Sequence, residues 1–171
     1  LYGLYGACST AIEALSLAAL LCAGGFAKRL AAVTSSHNSS AERQFRFPLE
    51  YGGQRTPTSQ WTVTGSAAFL VSMEKSGPYL SEILPGRPVD RGICDANNMG
   101  AAMAPAAVDT LTRYFQGSGT KPEDFDLIVT GDLGREGHGI VLDLMQASGY
   151  DLSGNYTDCG LLIYDLEKQD K

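Results

Sequence analysis

An α/β fold is predicted for this chain. Short apolar strands alternate with helical stretches through its second half, and a helix near its start is apolar on nearly every side, so other layers must cover it. With 171 residues the chain is long enough to bury a core. Hydrophobic residues make up 44% and charged residues 19%, which excludes a disordered or low-complexity chain. The net charge is −6 and the sequence pI near 4.8. No lysine and arginine cluster offsets that balance, so nucleic acid is not expected as a partner.

The elements follow in order. Residues 9–22 read as a helix, with Ser9 or Thr10 as its cap, alanine and leucine through its length and Gly24-Gly25 as its stop. Its all-round apolarity predicts burial on every side, hence more than two layers. Glu13 interrupts this window and the glycines end it, short of the roughly 20 apolar residues of a membrane span. The first residues, Leu1-Tyr2-Gly3-Leu4-Tyr5-Gly6, place no basic stretch before an apolar run, and no secretory signal is expected. Residues 30–34 form a short strand, and a long polar loop over 35–60 follows, of a length that tends to carry function. Residues 62–73 are a second strand, with Gly65, Ser66, Ala67 and Ala68 permitting close approach of another backbone. Residues 79–84 read as a third strand, ending at Pro85-Gly86. A helix over 103–115 keeps Pro105 in its first turn and stops at Gly117. A strand over 127–130 turns through Gly131-Asp132-Leu133-Gly134 into a helix over 136–147, and residues 160–164 close the series as a strand. No internal repeat and no linker divides the chain.

Cys8, Cys22, Cys94 and Cys159 are widely spaced, which fits neither a zinc site nor a disulfide framework and predicts reduced thiols. Cys8, in Gly6-Ala7-Cys8-Ser9-Thr10, opens the first helix, where unpaired amides favour a thiolate and lower the thiol pKa. An inert thiol is the alternative. His37 follows a strand and opens the long loop, where sites on α/β sheets tend to lie. His138 follows the Gly131–Gly134 turn. Each could serve as a base for Cys8, or be a structural histidine; their separation gives no metal motif. Arg43 and Arg46 alternate with Phe45 and Phe47, a pattern suited to a planar anion or to a loop pinned by its aromatic rings. The Gly131–Gly134 turn lacks the Lys-Ser/Thr of a phosphate loop.

Gly6-Ala7-Cys8-Ser9-Thr10 resembles the nucleophile turn of thiolases and ketoacyl-carrier-protein synthases, and Thr64-Gly65-Ser66-Ala67-Ala68 their small-residue strand. Longer runs are similar to the stage V sporulation protein AD family: SSHNSSAERQFRFPLEYGGQRTPTSQWTVTG, DANNMGAAMAPAA, DFDLIVTGDLGREGH and NYTDCGLLIYD. The similarity extends from about Tyr5 to Asp165. It implies a thiolase-like αβαβα layered fold of two related halves. Residues 1–171 would be a single partial domain of it, the end of the first half and most of the second. The family has a further portion before the cysteine turn and a last strand beyond Lys171.

The condensing enzymes of this superfamily carry a His-Gln-Ala-Asn pattern where this chain has Gly131-Asp132-Leu133-Gly134, while Gly154-Asn155 matches their later Gly-Asn. Cys8 is kept and the matching base is absent, which removes acid–base and oxyanion support for condensation. The resemblance therefore implies a degenerate, non-enzymatic protein that binds dipicolinic acid in the spore transport system, in sporulation and germination. A Cys8-dependent acyltransferase acting on a thioester is the alternative. Cys8, His37, Arg43 and Arg46 are the expected ligand contacts, with Asn98 and His138 as further candidates. No cofactor and no metal site are expected; dipicolinic acid is the ligand, and calcium as its companion is left open. Partners implied by the resemblance are other stage V sporulation A proteins, with a homodimer left open. The implied location is the spore, peripheral to its inner membrane, for a soluble chain without a spanning segment.

Overall fold

The computed structural model describes residues 1–37, 40, 58, 63–75, 77–163, 165 and 167–168. The chain forms two compact units, Leu1–Ala41 with Val63–Ile83, and Glu42–Thr62 with Leu84–Lys171.

In the first unit a 3₁₀ turn at Ala7–Ser9 leads into α1, Thr10–Ala23. The helix ends as its glycines predict. Gly25 takes a left-handed φ of 77°, its amide donates to Cys22 O at 3.0 Å, and the Phe26 amide donates to Leu21 O at 3.0 Å. This is the Schellman arrangement, which satisfies carbonyls the helix leaves open. Strands β1 (Arg29–Ser36) and β2 (Gly65–Ser72) pair antiparallel, from Arg29 opposite Ser72 to Ser36 opposite Gly65. One side of α1 packs on them: Ala18, Cys22 and Ala32 are buried, and the Cys22 thiol points to Val71 O at 3.6 Å. The expected burial of α1 on every side is not found. Ile12 is 66% and Leu20 58% exposed, because a two-stranded sheet covers only one side of a helix.

The second unit holds α2 (Met99–Ser118), β3 (Ile128–Thr130), α3 (Gly134–Ala147), β4 (Tyr156–Asp158) and α4 (Cys159–Ile163). Strands β3 and β4 run parallel with Ile128 opposite Tyr156, so β3, α3 and β4 make a βαβ unit, the connection that parallel strands require. Ala104, Phe115, Ile128, Leu133, Val141, Met145, Leu152 and Tyr156 form its core. The α/β class is thus observed.

Three element readings are corrected. Residues 79–84 form no strand; Pro78 and Pro85 bracket the run and no described neighbour pairs with it. Residues 160–163 belong to α4, because Asp158 accepts from the Gly160 amide at 3.0 Å and turns the chain immediately after β4. The helix placed at 103–115 runs over Met99–Ser118. Asn98 caps it, its Oδ1 accepting from Ala101 N at 3.1 Å, and the left-handed residue at its end is Gly119 (φ 72°), two residues beyond Gly117. Pro105 therefore sits in the second turn of α2, where it supplies no amide to Ala101.

Candidate functional site

Two places carry the chemistry, one in each unit. In the first unit, Cys8 is exposed within the 3₁₀ turn at the start of α1. The turn is locally built: Ser9 N donates to Gly6 O at 2.9 Å, Gly6 N donates to Thr10 Oγ1 at 3.0 Å, and the Thr10 and Ser9 hydroxyls donate to Ala7 O and Gly6 O, each at 2.7 Å. Ala7, immediately before the cysteine, holds a left-handed φ of 49°, a conformation that costs a residue with a Cβ about 1 kcal/mol. Such stored strain concentrates at functional turns. Glu13 folds back over the turn, its Oε2 lying 2.5 Å from where a Cβ on Gly6 would stand. A carboxylate thus already occupies the positive end of α1. His37 belongs to the same unit, exposed at the end of β1, with its carbonyl accepting from Ser40 N at 3.1 Å.

In the second unit the chemistry lies at the carboxyl ends of β3 and β4, where sites on parallel sheets form. Asp158 is fully buried, and both of its oxygens are used. Oδ2 accepts from the Thr130 hydroxyl at 2.6 Å and from Leu133 N at 3.0 Å; Oδ1 accepts from Gly134 N at 3.1 Å and from Gly160 N at 3.0 Å. Among the described residues no cation pairs with it. Its charge is held by backbone dipoles at the start of α3, the environment that suits a buried anion. Thr130 has one proton and gives it to Asp158, so Tyr156 must be the donor in its 2.9 Å contact with Thr130 Oγ1. The His138 ring stacks on Tyr156 with centroids 4.7 Å apart and planes 6° from parallel.

Burial, with the Asp158 charge adding to it against the Thr130 hydrogen bond, pushes the Tyr156 phenol from 10.0 up to about 12. The folded protein therefore holds this proton more tightly than the unfolded chain. Stability is expected to be level up to the ordinary tyrosine pKa of about 10 and to fall as the pH rises from there towards 12. Tyrosinate absorbance checks this: one phenol should titrate last, and Tyr156→Phe should remove that step and flatten the alkaline loss.

The loop that follows β3 is the one whose sequence resemblance set it against the His-Gln-Ala-Asn pattern of condensing enzymes. It holds no imidazole, and its Leu133 and Gly134 amides are committed to Asp158. Asn155, of the Gly154-Asn155 pair, lies away from that turn. Its amide donates to Pro122 O at 2.7 Å and Phe125 O at 2.6 Å, pinning the approach to β3 at the amino end of β4. About 10 Å of strand separates that end from the Gly131–Gly134 turn. At Cys159, beside Asp158, burial and then the Asp158 and Asp132 charges push the thiol pKa up, which disfavours the thiolate.

Cys8 and His37 thus share the first unit, whereas Asn98 and His138 are in the second, one capping α2 and the other stacked on Tyr156. Arg43 and Arg46 lie outside the described residues. The buried Asp158 and its partners Thr130 and Tyr156 were missed by sequence reasoning; the available signal was a charged residue closing a short strand two positions before a glycine, in Tyr156-Thr157-Asp158-Cys159-Gly160. Among the described residues no group of three or more His, Cys, Asp or Glu is arranged to hold a metal ion, and no helix is long and apolar enough to cross a membrane.

The family model described as stage V sporulation protein AD matches residues 1–171. The chain is 47% identical over 166 residues to stage V sporulation protein AD of Bacillus subtilis (strain 168), a match that takes in 97% of this chain and 49% of the relative. The chain spans about half the length of that curated relative.

Proposed function

Because the chain belongs to the stage V sporulation protein AD family, a family of sporulation proteins, we propose that it serves sporulation and germination as a non-enzymatic binder of dipicolinic acid. The observation that carries this reading is the fate of the catalytic positions. The turn that would hold a condensing base has none, its amides are spent on Asp158, and Asn155 props the opposite end of the strand pair. A cysteine turn kept without that machinery is suited to holding a ligand and not to turning it over.

The proposed architecture is thiolase-like and layered. The βαβ unit and a helix with one covered and one bare apolar side favour it, since further layers would cover Ile12 and Leu20. Dipicolinate is a planar dianion near neutral pH and needs charge-assisted donors, each worth about 1.5–3 kcal/mol. The strained turn at Cys8 with exposed His37 is the proposed centre of its site. Other stage V sporulation A proteins, a second copy of the chain, and the inner spore membrane as a peripheral surface are the proposed partners. Calorimetry on Cys8→Ala and His37→Ala in the protein at its full natural length tests the site: a loss of about tenfold or more in dipicolinate affinity is expected for at least one of them. Unchanged affinity in both would remove the site.

A Cys8-dependent acyltransferase is the second reading, favoured by the strained Ala7 immediately before an exposed thiol. It predicts an acyl group on Cys8 after exposure to a thioester.

A further inference from the structure

The lysine and arginine side chains of the first unit gather at one end of it. There are three, Lys28, Arg29 and Lys75. The β1–β2 ladder opens with Arg29 opposite Ser72, so Lys28 and Met73 each stand directly beyond its last pair, and Glu74 and Lys75 follow. The end of α1 lies here too, because the Cys22 thiol points to Val71 O at 3.6 Å. Arg29 folds onto Glu74, its Nε donating to Oε1 at 3.0 Å. Those two charges cancel, and no carboxylate among the described residues pairs with Lys28 or Lys75. Glu13, by contrast, lies over the opposite end of α1.

Two large apolar side chains stand among these cations. Phe26, in the turn between α1 and β1, is 83% exposed, and Met73, just past β2, is 66% exposed. The tight turn holds the ring: a Cβ on Gly24 would come 2.9 Å from Phe26 Cε2. Exposed apolar groups rimmed by unpaired ammonium groups match the interface of an anionic bilayer, where a ring enters the acyl boundary and lysines meet phosphates. The excess of positive charge is local, on a chain whose net charge is −6, so this end would turn towards such a surface. Phe26 and Met73 sit on separate turns, and a fluid headgroup layer receives both without the matched pockets a protein partner would need.

We propose that Phe26 and Met73, with Lys28 and Lys75 around them, are the contact by which the protein docks on an anionic phospholipid surface. That a membrane is touched at all rests on the peripheral partner proposed for the chain; where it is touched rests on this end of the first unit.

Sedimentation of the protein at its full natural length with vesicles tests this, using equimolar phosphatidylglycerol and phosphatidylcholine against phosphatidylcholine alone. Binding to the anionic vesicles only, weakened by added sodium chloride, is expected. Phe26→Ala should weaken it about tenfold, the loss of one partly inserted ring. Lys28→Gln and Lys75→Gln should each weaken it about fivefold. All three are changes at exposed side chains, which the fold tolerates. Arg135→Gln, at an exposed position of α3 in the second unit, should leave binding unchanged. Equal binding to both vesicles, or anionic binding that Phe26→Ala and the lysine variants weaken no more than Arg135→Gln does, would overturn this contact while keeping the membrane as a partner. No binding to either vesicle would overturn both the contact and the membrane partner.

Discussion

Asp158→Ala should destabilise the second unit by about 3–5 kcal/mol, a large share of the roughly 5–15 kcal/mol that holds a typical domain together. The substitution strips acceptors from the Leu133, Gly134 and Gly160 amides and from the Thr130 hydroxyl in one step, all in a place closed to solvent. Each orphaned donor costs about 1–3 kcal/mol, reduced where water refills the space left by the carboxylate. Asp158→Asn keeps one acceptor oxygen but turns an NH₂ towards two of those donors, so a smaller loss of the same sign is expected. Urea denaturation measures both. Amide exchange in the asparagine variant provides a local readout: Leu133, Gly134 and Gly160 should lose protection before the rest of the core. Equal protection in variant and parent would mean that Asp158 does not organise the strand ends.

Gly137→Ala and Gly100→Ala should each cost about 2–3 kcal/mol, although alanine is the better helix former. Helices α2 and α3 touch backbone to backbone at these glycines. A Cβ on Gly100 would stand 2.3 Å from Leu133 O and 2.9 Å from Gly137 N, and one on Gly137 would stand 2.7 Å from Leu133 Cβ and 3.0 Å from Gly100 Cα. None of these atoms is the end of a flexible side chain, so relief requires the helices to part. Gly139 is the control in the same helix. Its Cβ would meet nothing within 4 Å, and Gly139→Ala should stabilise by about 0.5–1 kcal/mol. Thermal denaturation of the three variants gives opposite signs if close helix approach governs this region.

The parts of the fold legible in the sequence are those whose signals are local. Helix α1 starts and ends where Ser9-Thr10 and Gly24-Gly25 stand, although neither expected hydroxyl caps it, both donating back to Gly6 O and Ala7 O; β1, β2 and α3 follow from apolar runs between turn residues. The start of α2 was hidden because its cap, Asn98, sits among polar neighbours that read as loop. Residues 79–84 look like a strand by composition, but a strand exists only with a partner, and pairing is not written in the run itself. The site divides the same way. The position of the cysteine turn at the start of α1 is a local feature and was legible; the return of Glu13 over Gly6 was not. Asp158 gathers donors from residues 130, 133, 134 and 160, a convergence only the βαβ crossover creates.

Dipicolinate binding without acyl chemistry is the activity proposed for this family member. Titrating dipicolinic acid by calorimetry into the protein at its full natural length, with acetyl-coenzyme A as the comparison ligand and mass spectrometry of Cys8 afterwards, tests it most directly. Saturable dipicolinate binding with an unmodified cysteine is the expected result. An acetyl group on Cys8, with no heat from dipicolinate, would contradict the claim and make the chain an enzyme whose base lies somewhere other than the Gly131–Gly134 turn.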